Sequence, residues 1–433
     1  MNTTWLSRLH FARALQSRSF ALLWVGQTIS TIGDGAYITA LAWQILIMTG
    51  SVSAMGIVLV ATNIPTLLLT LIGGVAADRL PRHLVLLAAD AGRAGAVLSI
   101  ATLGVLHLLQ LWHLVLLSLL FGVARGFFHP AYRAIPPQLA AKEALPSANG
   151  LITLSEQIGD LVGPLVGAFC VILAGPINGF IFDGVTFVIS AFCLFWIRYP
   201  NKQEVLRADQ STDITRTAVA KHHLGQAIRN MLKDIQEGFR YVMSSTWLSV
   251  SILIAAVANV GLSGSLAVAL PKLVYNVYRS GVWNFGAIIT ADSLGVICAT
   301  FLVGQMKTLR RRGIIAYLAV GCCGLALIIF GLPMPQTIVP IVSIIAGFLL
   351  GCSIGFFSII WITVIQERVP EEMLGRVNSI DLLGSLGLLS VGYTVVGVLV
   401  DYIGPAQVFI MAGLLITVLA ILALRIRDIR GLD

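Results

Sequence analysis

Four carboxylates and one arginine in this sequence have the types and spacing to move a proton through apolar surroundings. Asp34 lies in Ser30-Thr31-Ile32-Gly33-Asp34-Gly35, where the flanking glycines would leave its carboxylate reachable from a cavity. A carboxylate that alternates between dry and wet surroundings takes up and releases a proton, and that step can drive a conformational change. Asp34 is therefore the leading proton or cationic-substrate site, set against a purely structural partnership. Glu156 and Asp160 stand one helical turn apart on one face, so their repulsion calls for a shared proton or a nearby base. Arg125 is the base on offer, either within a coupling network or as a structural ion pair with Glu156. Asp90 and Arg93, three residues apart, read as a structural pair, whereas Asp183, Asp292 and Asp381 have no evident partner. Of these three, Asp292 is the secondary coupling candidate.

All of these charges sit in long apolar runs. Of 433 residues 57% are hydrophobic and 11% charged, against roughly 25% charged in soluble domains. That composition predicts an all-α membrane protein. The net charge of +8 is one of orientation rather than of nucleic-acid binding, because the basic residues are distributed by side. The six cysteines lie within apolar runs and read as small buried hydrophobes, not as a disulfide framework.

Windows long enough to cross the roughly 30 Å hydrocarbon core recur near 20–48, 52–77, 84–106, 111–128, 147–172, 179–198, 247–274, 283–306, 314–332, 337–362, 377–400 and 407–425. Threaded alternately, these twelve spans place both termini on one side, with every lysine and arginine except Arg93, Arg125, Lys272 and Arg279. The positive-inside rule makes that side cytoplasmic. Residues 1–198 and 247–433 form two six-helix halves, joined by a polar linker over 199–246. Within the linker, Ile228, Met231, Leu232, Ile235, Phe239 and Val242 keep a helical period and predict an amphipathic surface helix over 224–243.

The halves are related at a fixed offset of 229 residues: Glu143, Leu145, Asn149, Gly163, Gly175 and Pro176 recur as Glu372, Leu374, Asn378, Gly392, Gly404 and Pro405. Duplicated halves around a midplane site are a common transporter construction.

Between the second and third spans runs Gly73-Gly74-Val75-Ala76-Ala77-Asp78-Arg79-Leu80-Pro81-Arg82-His83. It resembles the cytoplasmic signature loop of the major facilitator superfamily, with Pro81 in place of the later glycine and His83 in place of the last base. The resemblance implies two pseudo-symmetric six-helix halves and an inner gate in which Asp78 pairs with helix ends or arginines. Arg79, Arg82 and Arg376 are the gating bases. At the offset of 229 the second copy has Lys307 opposite Asp78, so only the first has kept the acid.

The fifth span carries Gly159-Asp160-Leu161-Val162-Gly163-Pro164-Leu165-Val166-Gly167-Ala168, which resembles the glycine-proline signature of antiporters in the same superfamily. Gly159, Gly163 and Gly167 make one face for close helix packing, and Pro164 allows a bend. Phe128-His129-Pro130-Ala131 and Leu145-Pro146-Ser147-Ala148-Asn149-Gly150 are similar to the bacterial subgroup of macrolide efflux proteins and the enterobactin exporter.

The resemblance implies a proton-coupled secondary exporter of a small amphipathic compound in the bacterial inner membrane. Its partners are the substrate, protons and membrane lipid; no nucleic acid is implied and a monomer is expected. Import by symport, and a non-transporting sensor with the same fold, remain the alternatives. The substrate site should be lined by the first, fourth, seventh and tenth spans, with Tyr37, Asn259, Ser263, Ser358 and Trp361 as candidates. No lysine follows a glycine, so a phosphate-binding Gly-Lys-Ser/Thr loop is missing, and neither a metal motif nor a catalytic cluster is found. No cofactor and no enzymatic activity are expected.

Overall fold

The computed structural model describes residues 10–197, 236–306 and 310–432, and among these it holds helices and turns but no strand. A tight helical turn, His10–Gln16, leads into α1 (Arg18–Thr49), α2 (Val52–Arg79), α3 (Arg82–Val105), α4 (Leu111–Ala134), α5 (Leu145–Ala174) and α6 (Pro176–Phe195). The second bundle contains α7 (Thr246–Gly264), α8 (Gly281–Gln305), α9 (Arg312–Gly331), α10 (Val339–Arg368), α11 (Glu371–Gly387), α12 (Leu389–Ile403) and α13 (Pro405–Arg425). Beyond α7 the chain continues through wider helical turns to Tyr278.

Helix ends follow local chemistry. Ser17 caps α1 by accepting the Phe20 N–H at 3.4 Å, and Gly50 closes it in the left-handed region at φ 64°. Gly175-Pro176 and Gly404-Pro405 make the same corner twice, with φ 86° and 87° at the glycines and each proline opening the next helix. The two corners are one of the sequence repeats, so the duplication recurs in the backbone.

It recurs in the packing as well. A Cβ on Gly163 would stand 2.7 Å from the Gly35 Cα and 2.8 Å from the Ile32 carbonyl oxygen, so α1 and α5 meet backbone to backbone. A Cβ on its repeat partner Gly392 would stand 2.8 Å from the Val260 carbonyl oxygen, at the equivalent α7–α12 seam. These seams require glycine. Gly163→Val is expected to force the helices apart and cost about 3 kcal/mol. The check is the thermal melt of detergent-purified protein; an unchanged melting temperature would show that the seam can yield.

Ten of the helices are long and apolar enough to cross a bilayer. The exceptions explain themselves: α1 carries Gln27, Thr28, Ser30, Thr31 and Asp34, while the expected eleventh span is divided at Leu388 into α11 and α12, of 17 and 15 residues. The chain is a multi-pass, all-α membrane protein. Most of the expected linker, including 224–235 of its amphipathic helix, lies outside the described residues; 236–244 is helical.

Candidate functional site

The acids and Arg93 meet inside the first bundle. Asp90, 0% exposed, binds the Arg93 guanidinium through Oδ1, as the three-residue spacing predicted. Its Oδ2 accepts from Ser190 Oγ at 2.6 Å and from Gln27 Nε2 at 3.4 Å. Arg93 reaches across to α1, where Nη1 lies 3.8 Å from Asp34 Oδ2. Its guanidinium is also held between rings, 4.0 Å from the Phe128 centroid and 4.4 Å from that of Phe187. Asp183 is fully buried beside this group; its Oδ1 lies 3.4 Å from Thr186 Oγ1, and its Oδ2 has no hydrogen-bond partner. One guanidinium thus serves two carboxylates directly, with a third close by.

The glycines beside Asp34 act differently from the sequence expectation. A Cβ on Gly33 would come within 2.5 Å of Asp183 Oδ1, and Gly35 faces Gly163. They let α5 and α6 pack tightly on α1 rather than opening a path to the acid. The Asp34 side chain nevertheless keeps 26% of its surface exposed.

Arg125 does not pair with Glu156. Its Nε bonds the His129 ring at 3.2 Å, one turn along the same helix, because that partner is within reach without leaving α4. Glu156 and Asp160 are exposed on α5. Asp160 is still within electrostatic range of Glu156, Arg125 and Asp34, and Asp292 is within range of Asp160. Asp292 Oδ1 is buried and unpartnered. The carboxylates therefore form a discontinuous row from α1 through α5 to α8, which crosses from one bundle to the other.

A cavity of about 280 Å³ lies wholly within the second bundle. Its walls come from α7, α9, α10, α11 and α13, and include Asn259, Tyr317, Phe357, Ser358, Trp361 and Asp381. None of the residues lining this cavity comes from the first or fourth span. Tyr37 is a core residue instead, 4% exposed, stacked on Phe121 at 5.1 Å with its hydroxyl 3.4 Å from Ser118 Oγ. Ser263 also lies off the cavity wall, which passes through Leu262. Sequence position placed both residues on suitable helices but not on the face each presents.

Tyr317, Phe357 and Trp361 contribute rings to the cavity wall, and Trp247 packs behind them. Phe357 and Trp361 stack with centroids 6.1 Å apart at 9°, while Trp247 and Tyr317 extend the ladder edge-on. Trp361 Nε1 donates to Asp381 Oδ2 at 3.2 Å, which fixes the indole and presents the carboxylate to the cavity. The sequence context of Asp381 offers it no partner; the fold supplies Trp361. The cavity thus sets apolar rings beside one acid.

The bundles join from the middle of α5 and α8 outward, in the half of the molecule opposite the arginine-rich loops. Thr290 Oγ1 donates to the Leu161 carbonyl at 2.8 Å and Ser293 Oγ to that of Asp160 at 3.1 Å. Trp43 packs on Tyr275 and Phe285, with centroids at 5.6 and 6.0 Å. At the arginine-rich end, Arg82 Nη1 donates to the Ala134 carbonyl at 2.5 Å, fastening the start of α3 to the end of α4. Arg376 Nη1 binds Glu237 Oε2 at 2.6 Å, anchoring the described end of the linker. The side chains of Asp78 and Arg79 lie outside the described residues; their backbone forms the last turn of α2.

Two helical bundles, one holding an intramembrane charge cluster and the other a cavity, have the architecture of a membrane transporter. The sequence agrees: residues 23–387 match the model of the Major Facilitator Superfamily, and the chain belongs to that family. It is similar to macrolide efflux protein A of Streptococcus pyogenes, 23% identical over 419 residues, covering 96% of this chain and 97% of the relative. It is also similar to the enterobactin exporter EntS of Escherichia coli, 25% identical over 388 residues, covering 87% and 83%. Among solved structures, the nucleoside transporter NupG superposes with a TM-score of 0.70 at 12% identity, covering 94% of this chain and 98% of the other. That likeness is one of fold.

Proposed function

We propose that this transporter exports small amphipathic compounds from the cytoplasm in exchange for protons, by alternating access of its two halves. The observation that carries the reading is Asp34: an acid on α1 that shares Arg93 with buried Asp90 while remaining partly exposed. Protonation of Asp34 would release its hold on Arg93 and leave Asp90 as the one carboxylate bound to it directly, so a proton can change how α1 sits against α3. The row through Asp160 to Asp292 offers a route by which that change reaches the second bundle. The names of the relatives, a macrolide efflux protein and an enterobactin exporter, favour outward movement.

In this reading, twelve spans cross the bacterial inner membrane with both termini cytoplasmic. The halves comprise 1–198 and 247–433, linked through 199–246. The contacts of Thr290 and Ser293 then lie near the midplane and those of Trp43 in the outer half, while Asp78, Arg79, Arg82 and Arg376 lie at the inner gate. The unit is a monomer surrounded by lipid.

The cavity holds the cargo against Trp361, with Asn259 and Ser358 as hydrogen-bonding groups and Asp381 as the charged one. A drug and siderophore susceptibility panel in a strain lacking the chain identifies the cargo, and flux in everted vesicles shows its direction. Substrate uptake into everted vesicles on acidifying their lumen supports export; proton-driven movement the other way would establish import, and no flux would leave a sensor. Trp361→Ala removes both the stacked ring and the donor to Asp381. It is expected to weaken equilibrium binding of the cargo by about tenfold or more, and unchanged affinity would place the cargo elsewhere.

A further inference from the structure

One carboxylate at the sealed end is bound from both bundles. Asp401, in the last turn of α12, accepts the Val52 N–H at 3.0 Å on Oδ1 and the Ser53 N–H at 2.9 Å on Oδ2. The Ser51 and Ser53 hydroxyls each donate to Oδ2 at 2.7 Å. Lys272, from its own bundle, donates to Oδ1 at 2.8 Å. The first amides of a helix have no partner within it and carry the positive end of its dipole, so an acid placed there is held by charge as well as by hydrogen bonds. Around this point the backbones touch: a Cβ on Gly56 would stand 2.6 Å from the Tyr393 carbonyl oxygen, and one on Gly397 3.2 Å from the Ser53 Cα.

The arrangement is one-sided. Counting back 229 residues from Asp401 arrives at Ile172, so the sequence repeat provides no matching acid at the end of α5. The α5–α8 seam is joined nearer its middle, by the neutral donors Thr290 and Ser293.

We propose that Asp401 is the latch of the sealed face: a positioning residue that holds α2 of one bundle against α12 of the other and sets how often this end opens. Opening strips the carboxylate of four donors on residues 51–53 but leaves Lys272, which moves with it. Lys272 thus keeps the acid paired in the released state, so the latch can reopen and close repeatedly without stranding a charge. The inference rests on the alternating-access reading, because a latch has a function only if this end opens.

The test uses full-length protein in lipid nanodiscs with spin labels at Leu108 and Ile338. Both are exposed, on connections at the sealed end of opposite bundles. Wild type is expected to show mainly the shorter label separation. Asp401→Asn should raise the ratio of a longer population by about tenfold or more, the change expected when a charge-assisted bond is lost. Ser53→Ala, which removes one hydroxyl donor and keeps the amide, should raise it less; it also decides the matter if the Asp401 variant does not fold. Unchanged separations in the variants that fold overturn the latch. Altered separations alongside an inert wild type in the vesicle assay would uphold the latch and reject transport, whereas normal flux with unaltered separations would do the reverse.

Discussion

Arg93→Leu is expected to cost about 3–5 kcal/mol of stability, the range for removing one partner of a buried ion pair. Asp90 would be left fully buried with only the neutral Ser190 and Gln27 donors to balance its charge. Leucine replaces part of the lost volume between Phe128 and Phe187 but provides neither charge nor donors. The loss should appear as a lower melting temperature and less monodisperse protein in detergent. Asp90→Asn in the same chain removes the stranded charge and should restore a substantial part of the stability. A wild-type melting temperature for Arg93→Leu would show that the pair does not hold the bundle together. A double variant as unstable as the single one would place the cost in the lost ring contacts instead.

The same residue shows what could be read from sequence. The spacing of Asp90 and Arg93 was enough to pair them, since residues three apart share a helix face whatever the fold. Arg93's reach to Asp34 depends on how α1 crosses α3, and no local pattern encodes that crossing. Gly163 and Gly392 were visible as repeat partners, yet the backbone each touches lies on another helix. Length and apolarity indicated the spans, including the polar-diluted α1, but not the break that divides α11 from α12. Tyr37 illustrates the remaining ambiguity: a polar aromatic on a suitable helix serves a core as readily as a cavity, and only the packing of α4 and α6 decides. Asp401 and its acceptor role across 350 residues of chain were beyond any local signal.

Asp34→Asn is expected to leave the fold nearly intact and abolish proton-driven accumulation. The 3.8 Å contact with Arg93 is long and its acid is 26% exposed, so its loss should change stability by no more than about 1 kcal/mol. The effect on transport is much larger. One charge crossing 100 mV gains about 2.3 kcal/mol, which for a neutral cargo and a one-proton exchange sustains roughly a 50-fold gradient. Asparagine preserves the size of the side chain but carries no exchangeable acid proton. Everted vesicles containing the variant should still equilibrate or bind cargo without concentrating it, and the pH dependence of flux should flatten. Retained accumulation would remove Asp34 from coupling and move the test to Asp160 and Asp292, the carboxylates through which the row reaches the second bundle. Loss of cargo binding as well would instead identify Asp34 as a cargo contact. The comparison of binding with accumulation therefore separates the two roles that a glycine-flanked acid in an apolar helix leaves open.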